Sequence, residues 1–454
     1  MIDLVGHDVE VPCADGSHRR YRSFDTAAST SALPAVAEAV TDFLPWYSSV
    51  HRGAGFKSQR ATQAYELARR AALRFAGRDE DGEDVAVLCR NTTEAINHIA
   101  YRLRLEPDDV VVTTVVEHHA NLLPWGRVAR RRYVDCGVDG TFTTDDVVAQ
   151  LGDGVKLLAI TGASNVSGWM PPLATIIDAA HERGVPVLVD AAQLAPHHPL
   201  PADADFVAWS GHKMYAPFGA SAFVGPRTVF ADGDPFLAGG GAVDLVDLDE
   251  VVWTDPPERE EAGSPNVVGA VALHAAIDEL TRIGWDTIGE HERRIGDRLR
   301  TGLAGIDGVR LLGPSIDTPT LALATFTVTG VPHALVAARL SAEYGIGVRH
   351  GCFCAHPYLL RLLGLTDDEV RRYRADVLRG DRRDIPGAVR ASAGIDTTED
   401  DVDALLDAVA EIARGERSPV DYEQDLPTGD WYPVGALPGW SDLDRNLGSS
   451  CARG

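Results

Sequence analysis

The sequence predicts an α/β protein in which a mostly parallel central sheet is sandwiched by helices and a smaller α+β unit follows. Short apolar runs alternate with helical patterns between residues 85 and 225, and a second mixture of strand and helical patterns fills residues 320–414. A stretch rich in Gly, Pro and acidic residues, at 231–263, separates the two. Because strands that alternate with helices form parallel βαβ units, the first region is expected to build one buried sheet.

Each element follows from a local pattern. The predicted strands of the large sheet lie at 85–88, 110–113, 133–134, 156–160, 185–189 and 206–209, with one more at 220–224. Helices are predicted at 92–104, 119–131, 143–151 and 173–184, and along 266–304. In the second unit, strands are expected at 321–328 and 389–392, and helices at 333–344 and 398–414. The basic cluster at 127–132 is expected at a solvated helix end, and 231–263 is expected to be a long loop.

Composition narrows the class of protein. With 454 residues, of which 45% are hydrophobic and 24% charged, the chain suits a globular protein of two domains. The formal net charge of −25 would repel nucleic acid, so no nucleic-acid partner is expected. Neither a run of 18 apolar residues nor a secretory signal pattern occurs, and the six cysteines are scattered apart from Cys352 and Cys354. A cytoplasmic location without membrane contact is therefore expected.

The most informative residues are Asp190 and Lys213, which follow two successive apolar runs. Asp190 ends the run at 185–189, and Lys213 closes a Ser-Gly-His-Lys motif directly after 206–209. Because neighbouring strands of a sheet end side by side, this acid and this amine can face one ligand. An amine that binds an aldehyde and a carboxylate that keeps a ring nitrogen protonated together suit pyridoxal phosphate (PLP). Alone, each residue is ordinary: a surface lysine and a strand-end aspartate.

Polar residues also follow the other predicted strands. The Asn-Thr-Thr-Glu motif at 91–94 can cap a helix through a threonine, or can offer N–H groups and hydroxyls to a phosphate. His118 can stack on an aromatic ring. Its neighbour His119 suggests a metal site, but no third ligand stands at suitable spacing, so no metal is expected. Asn165 and Gln193 can donate to ligand oxygens or can simply stabilise their loops.

Taken in order, the motifs resemble those of one family. They are His-Arg-Gly at 51–53, Asn-Thr-Thr-Glu-Ala-Ile at 91–96, Glu-His-His-Ala-Asn at 117–121, Ser-Asn-Val at 164–166, Asp-Ala-Ala-Gln at 190–193, His-His-Pro at 197–199, Ser-Gly-His-Lys at 210–213 and Gly-Ser-Pro-Asn at 263–266. Over residues 20–412 the chain resembles the class V, fold-type I PLP enzymes, and most of all the group II (SufS-like) cysteine desulfurases and selenocysteine lyases. The resemblance implies PLP as cofactor, a homodimer, a small amino-acid substrate and a sulfur-acceptor protein as partner.

With this resemblance, the chain divides into four parts. An N-terminal segment at 1–35 is expected to join the small domain, and the large PLP-binding domain is expected at 36–285. The small domain is expected at 286–414, and a tail at 415–454 can dock through Trp431 and Trp440.

The family's site residues carry over position by position. The implied catalytic residues are Lys213, Cys354, His118 and Asp190. The implied cofactor-binding residues are Thr92, Thr93, His118, Asn165, Asp190, Gln193, Ser210, His212, Lys213 and Ser264, the last reaching a phosphate in the other subunit of a dimer. The implied substrate-binding residues are Arg390, Arg349, Asn165 and His51. Arg390 matches the clamp of the substrate carboxylate, a role that bidentate geometry suits.

Residues 346–357 resemble the family's cysteine loop, in which a thiolate attacks the substrate sulfur. Cys354 falls on the nucleophile's position, where Arg349 and nearby imidazoles would favour a thiolate. Cys352 adds a second thiol, which can share in sulfur transfer, form a redox couple with Cys354 or be a bystander. The Gly-Cys-Phe-Cys sequence also resembles molybdenum-cofactor sulfurases. A charged insert at 363–386, longer than in SufS-like enzymes, can reshape the mouth of the site, dock a partner or be only a solvated helix.

The predicted function is a PLP-dependent C–S lyase of the cysteine desulfurase type, which takes sulfur from L-cysteine as a persulfide on Cys354 and releases alanine. Other class V chemistry on a related amino acid is an alternative: β-elimination, epimerisation, transamination or kynureninase-like hydrolysis. A PLP-free scaffold or regulator on the same fold is a second alternative, which would require Lys213 to be idle.

Overall fold

The computed structural model describes residues 2–435. Its strands are β1 (Glu10–Pro12), β2 (His18–Arg20), β3 (Arg22–Phe24), β4 (Asp84–Cys89), β5 (Val110–Thr114), β6 (Arg130–Val134), β7 (Val155–Thr161), β8 (Val187–Asp190), β9 (Phe206–Ser210), β10 (Ser221–Pro226), β11 (Val243–Val246), β12 (Val251–Trp253), β13 (Val309–Leu312), β14 (Leu323–Val328), β15 (Ile346–Gly351), β16 (Ala388–Ser392), β17 (Tyr422–Gln424) and β18 (Trp431–Pro433). Its α-helices are α1 (Pro34–Phe43), α2 (Phe56–Phe75), α3 (Thr92–Arg102), α4 (Trp125–Val128), α5 (Thr144–Val148), α6 (Leu173–His181), α7 (Arg227–Ala231), α8 (Val267–Ile283), α9 (Trp285–Ala304), α10 (His333–Tyr344), α11 (His356–Leu363), α12 (Asp367–Leu378) and α13 (Glu399–Ala413).

The large sheet has seven strands in the order β4-β10-β9-β8-β7-β5-β6. Strands β5 to β9 pair in parallel, whereas β10 runs antiparallel to both β4 and β9. The predicted fold class, a mostly parallel sheet built from alternating strands and helices, is confirmed.

Helices cover both faces of this sheet. Alternate residues of a strand point to opposite faces, and on one face Val111, Leu157 and Phe206 pack with Ile96 and Ile99 of α3. On the other face, the core includes residues of α1, α6 and α8. Every residue of β5, β8 and β9 is buried. The carboxyl ends of these strands are therefore where the sheet can meet a ligand.

A second sheet has five strands in the order β13-β14-β16-β15-β3. The N-terminal strand β3 pairs in parallel with β15, and the other pairs are antiparallel. Leu299 of α9, Val336 of α10 and Leu405 of α13 pack with Phe326 of β14 in the core beneath it. This sheet carries β15 and β16, from which two predicted substrate-binding arginines project.

The helix predicted at 119–131 is wrong. A 3₁₀ turn at His119–Asn121 and the four-residue α4 occupy that range, and β6 begins at Arg130. The basic residues 130–132 therefore lie on the edge strand of the large sheet and not at a helix end. Charged side chains on an edge strand prevent it from pairing with another chain, which explains a basic run in a strand.

Two further differences are smaller. The helical pattern at 266–304 forms two helices, because Gly284, with a φ of +87°, ends α8 and precedes α9. The long loop expected at 231–263 contains the hairpin β11–β12.

The insert at 363–386 contains α12, which starts with reciprocal hydrogen bonds between Thr366 and Glu369 and has no buried residue. The tail forms the hairpin β17–β18, which no periodic pattern predicted. This hairpin binds the end of the insert, since Gln424 Nε2 donates to Arg383 O at 2.8 Å. Trp440 lies outside the described residues. Across residues 2–435, no helix is long and apolar enough to cross a membrane.

Candidate active site

A cavity of about 330 Å³ opens at the carboxyl ends of β7, β8 and β9, beside the N-terminus of α3. Arg349 of β15 and Arg390 of β16 line it from the second sheet. The predicted site residues that line this cavity are Thr92, Thr93, His118, Asn165, Asp190, Gln193, Ser210, His212, Lys213, Arg349, Cys354 and Arg390. The cavity thus lies where open α/β sheets bind ligands.

Lys213 and Asp190 reach the cavity from neighbouring strands. Lys213 ends the 3₁₀ turn after β9, and Asp190 is the last residue of β8, which pairs in parallel with β9. Burial lowers the pKa of Lys213 to about 8, although the charge of Asp190 opposes this shift. Burial raises the pKa of Asp190, which is 4% exposed and accepts one hydrogen bond, from Ala192 N at 3.0 Å. A cation in the cavity would stabilise this carboxylate, and the amine is unusually nucleophilic near neutral pH.

The N-terminus of α3 and Ser210 form one end of the cavity. Asn91 caps the helix by accepting a hydrogen bond from Glu94 N at 2.9 Å, so the cap is the asparagine and not a threonine. Thr92 N donates to Ser210 Oγ at 2.9 Å, and the two hydroxyls lie 2.7 Å apart. Hydroxyls and N–H groups at a helix N-terminus suit a phosphate.

His118 and Gln193 lie on the wall of the cavity. His118 Nδ1 accepts a hydrogen bond from Ala120 N at 3.0 Å, so the neutral ring carries its proton on Nε2. Burial and the nearby charge of Lys213 lower the pKa of His118 to about 3, which keeps the ring neutral. Gln193 Nε2 donates to Ala27 O at 2.6 Å, a contact with the N-terminal segment that the sequence did not predict.

The two thiols of the cysteine loop face different surroundings. Phe353 and Cys354 both have a φ of +55°, a conformation that non-glycine residues rarely adopt and that often marks functional loops. Asn165 Nδ2 donates to Phe353 O at 2.7 Å, and His119 N donates to Cys354 O at 2.8 Å. Cys354 is exposed and lines the cavity, whereas Cys352 is half-buried and does not line it.

Arg390 is the most buried charge on this side of the cavity. Its side chain is 3% exposed, Nη1 donates to Asn165 O at 2.8 Å, and Nη2 lies 3.2 Å from Asp25 Oδ1. Its buried Nε has no hydrogen-bond partner within residues 2–435. Burial lowers the pKa of Arg390 to about 10, so the guanidinium remains charged at neutral pH. A charged, incompletely bonded guanidinium suits a carboxylate ligand.

Two predicted residues, His51 and Ser264, do not line this cavity. His51 binds Glu66 through Nε2 at 2.9 Å and lines a second cavity of about 280 Å³. Ser264 is exposed, and its neighbours Gly263 and Pro265 line the same second cavity. Their roles in the site stay predictions.

Other residues near the site were not predicted. Ala27 and Asp25 come from the N-terminal segment, and His119 and His356 stack beside the cysteine loop with ring centroids 5.1 Å apart. Within the described part of the chain, no group of three or more His, Cys, Asp or Glu side chains is arranged to hold a metal ion.

Comparison with known proteins agrees with the geometry. The family described as Aminotransferase class-V matches residues 22–405. A probable cysteine desulfurase of Halobacterium salinarum is 35% identical over 399 residues, which cover 85% of this chain and 90% of the relative. A cysteine desulfurase of Haloferax volcanii is 32% identical over 421 residues, which cover 89% and 92%.

Two solved structures share the fold. The apo cysteine desulfurase from Thermococcus onnurineus NA1 has a TM-score of 0.78 and 31% identity, over 87% of this chain and 95% of that one. The cysteine desulfurase CsdA from Escherichia coli has a TM-score of 0.74 and 32% identity, over 87% and 94%. The sheet order, with a lysine and an acid at adjacent strand ends, defines a fold-type I enzyme. The chain belongs to the aminotransferase class-V family, and the resemblance that its motifs indicated is confirmed.

Proposed function

We propose that this protein is a PLP-dependent cysteine desulfurase, which takes the sulfur of L-cysteine or a related amino acid as a persulfide on Cys354 and releases alanine. The observation that carries the proposal is that the thiol of Cys354 lines the same cavity as Lys213 and Arg390. Transamination and epimerisation change bonds at Cα only and so need no thiol nucleophile. The names of the Halobacterium and Haloferax relatives support the same chemistry.

The residues present fit PLP. Asp190 is a buried carboxylate with a single backbone hydrogen bond, which suits a protonated ring nitrogen. Thr92, Ser210 and the N-terminus of α3 would hold the phosphate, and Lys213 would hold the aldehyde. When bound, PLP supplies an aldehyde for the substrate amine and a ring that accepts electrons from the substrate Cα.

Arg390, Lys213 and Cys354 then have separate roles in the reaction. Arg390 binds the substrate carboxylate and so orients Cα toward Lys213. The amine of Lys213, with its pKa near 8, takes the Cα proton as a general base. Cys354 attacks the substrate sulfur as a thiolate. An S–S bond forms as the Cβ–S bond breaks, and the electron pair of that bond remains with the carbon, which is protonated to the methyl group of alanine.

Product analysis of a Cys354→Ala variant tests the proposal. Wild-type protein given L-cysteine should form alanine and sulfane sulfur in equal amounts, and the variant should form neither. Cys136→Ala is the control, because Cys136 is also a free cysteine but is half-buried, whereas Cys354 is exposed, and does not line the cavity. Full sulfur release by the Cys354 variant would overturn the proposal. Pyruvate with ammonia would instead indicate β-elimination, and a racemised substrate would indicate epimerisation.

We also infer a homodimer in which Ser264 completes the site of the partner subunit, since Ser264 does not line the cavity of its own chain. Mixing two inactive variants tests this arrangement. A mixed dimer of Lys213→Ala and Ser264→Ala chains should regain activity, because one of its two sites then contains both wild-type residues. If Ser264 acts within its own chain, both sites of the mixed dimer lack a residue and activity stays absent.

A further inference from the structure

Glu117 is a buried carboxylate that the proposed reaction does not use. It directly precedes His118, and its exposed fraction is 0%. Its Oε1 accepts hydrogen bonds from Thr114 Oγ1 at 2.8 Å and from Thr161 N at 2.9 Å. Its Oε2 accepts a third from Asn121 Nδ2 at 2.7 Å. A buried carboxylate is costly unless it is hydrogen-bonded, and here all three donors are neutral groups.

The three donors come from three different elements. Thr114 is the last residue of β5, and Thr161 is the last residue of β7, which pairs in parallel with β5. Asn121 ends the 3₁₀ turn that follows His118. One carboxylate therefore joins the segment at 117–121, which we call the histidine turn, to the ends of two neighbouring strands of the large sheet.

The histidine turn carries two groups of the candidate site. His118 lines the cavity and is predicted to stack on the cofactor ring. The next residue, His119, donates from its backbone N to Cys354 O at 2.8 Å and so holds the cysteine loop. A displacement of the histidine turn would therefore move the wall of the cavity and the loop of the nucleophile together.

The hydrogen bonds around Glu117 require an acceptor at both oxygens. Burial raises the pKa of Glu117 to about 8, whereas its three hydrogen bonds oppose the shift. The backbone N of Thr161 can only donate. Asn121 presents its Nδ2 to Glu117 because its Oδ1 accepts from Trp125 Nε1 at 3.2 Å. A glutamine at position 117 would place its NH₂ group against one of these two donors, whichever way its amide is turned.

We propose that Glu117 is a positioning residue, which fixes the His118 ring and the Cys354 loop through its three hydrogen bonds to the histidine turn and the strand ends. This inference rests on the proposed desulfurase function, which gives His118 and Cys354 their roles. Glu117 does not line the cavity, so it acts through the residues that it holds. Its loss should therefore alter the surroundings of the cofactor and the access to the thiol at the same time.

A Glu117→Gln variant tests the proposal. Because one buried donor loses its acceptor, the cofactor-free variant should melt at a lower temperature than wild type. Well below that temperature, alkylation of Cys354 by iodoacetamide in cofactor-free protein, measured by peptide mass mapping, should be about threefold faster, since the loop is held less firmly. In the holoenzyme, the visible circular dichroism of the cofactor should weaken. The kcat for alanine formation should fall by about tenfold with little change in KM, because the histidine turn does not hold Arg390.

A second substitution should rescue the variant. In Glu117→Gln with Asn121→Asp, the carboxylate placed at position 121 accepts from the amide placed at position 117 and still accepts from Trp125 Nε1. The two donors at Thr114 and Thr161 keep an acceptor at position 117, so the alkylation rate and the circular dichroism should return toward wild-type values.

Glu343→Gln is the matched control. Glu343 is also a buried glutamate, 6% exposed, but it binds Arg339 within α10 at 2.8 Å and does not line the cavity. This variant should lower the melting temperature and leave the alkylation rate of Cys354 and the circular dichroism of the cofactor unchanged.

The outcomes are distinguishable. A Glu117→Gln variant that melts early but keeps wild-type alkylation and circular dichroism would overturn the proposal and make Glu117 a residue of the fold alone. A double variant that keeps both defects would also overturn it. If Glu117→Gln does not fold, Thr114→Val removes one donor and leaves the carboxylate, and wild-type values of both readouts in that variant would overturn the proposal. Absence of alanine from the wild type would instead refute the desulfurase function, whereas the alkylation rate needs no turnover.

Discussion

Asp25 binds Arg390 and Arg349 at the same time. Its carboxylate lies 3.2 Å from Nη2 of Arg390 and 2.9 Å from Nη2 of Arg349. Asp25 directly follows β3, so the N-terminal segment supplies an acid to two arginines that project from β15 and β16. Both arginines are predicted to bind the substrate carboxylate. In the protein without substrate, the carboxylate of Asp25 pairs with their positive charges instead. Substrate must share the arginines with Asp25 or displace it.

Neutralising Asp25 should therefore tighten substrate binding. In Asp25→Asn, the arginines lose a competing negative charge but keep a hydrogen-bond acceptor, so KM for cysteine should fall by about threefold to tenfold, or about 1 kcal/mol. Steady-state kinetics at fixed ionic strength measures this change. A rise in KM of similar size would show that Asp25 mainly supports the arginines and does not compete with substrate.

Replacing Arg390 by lysine should weaken catalysis strongly. Lysine keeps a charge but loses bidentate geometry, and one lost charge-assisted hydrogen bond of about 1.5–3 kcal/mol predicts a drop in kcat/KM of about 10-fold to 100-fold. Arg349→Lys is the comparison, since the side chain of Arg349 is 50% exposed against 3% for Arg390. Its effect should be smaller, because exposed ion pairs contribute less. Equal losses in both variants would contradict the assignment of Arg390 as the main clamp.

Asp190→Asn should separate stability from activity. Burial raises the pKa of Asp190, so the folded protein without cofactor binds the Asp190 proton more tightly than the unfolded chain does. Ionisation of Asp190 therefore costs stability as pH rises, and this cost disappears at acidic pH. Without cofactor, the variant should melt at a higher temperature than wild type at pH 7, and the difference should vanish toward pH 4. With cofactor, its kcat should fall by about 100-fold or more, since the ring nitrogen loses its anionic partner. If Asp190→Asn had the activity of the wild type, Asp190 would be excluded as the partner of the ring nitrogen.

The low pKa of Lys213 predicts a pH dependence. Burial lowers this pKa to about 8, and an amine binds an aldehyde only in its neutral form. Capture of PLP by cofactor-free protein should therefore accelerate through pH 8 and level off above it. His118, with a pKa near 3, should add no inflection between pH 5 and 7. Stopped-flow absorbance of the bound cofactor measures the rate, and a profile that rises only above pH 10 would contradict the burial of this amine.

Much of the site could be predicted because strand ends converge. Asp190, Lys213, His118 and Thr92 each end or follow a strand of the large sheet or begin the helix after one, so alternating patterns alone bring them to one edge. The edge strand β6 was predicted only at 133–134 and its basic start at 130–132 was missed, since a basic run fits a helix end as well as a protected strand. The sequence therefore predicts which residues adjacent strands bring together. It predicts less well where each strand or helix begins and ends.

Long-range contacts could not be predicted. Asp25 and Arg390 are far apart in sequence, and no local pattern indicates that β3 joins the second sheet beside β15. The sequence also left open which thiol faces the cavity. That depends on the positive φ angles at Phe353 and Cys354, which neither residue type favours and which Asn165 and His119 help to hold.

Lys213 is proposed to hold an aromatic aldehyde cofactor at the end of the large sheet. Borohydride reduction of freshly purified protein, followed by peptide mass mapping, measures this directly, because the chain has only two other lysines, Lys57 and Lys156. Added cofactor mass is expected on the Lys213 peptide of the wild type, and none in a Lys213→Arg variant. An unmodified Lys213 peptide in the wild type, or the added mass on Lys57 or Lys156, would contradict it.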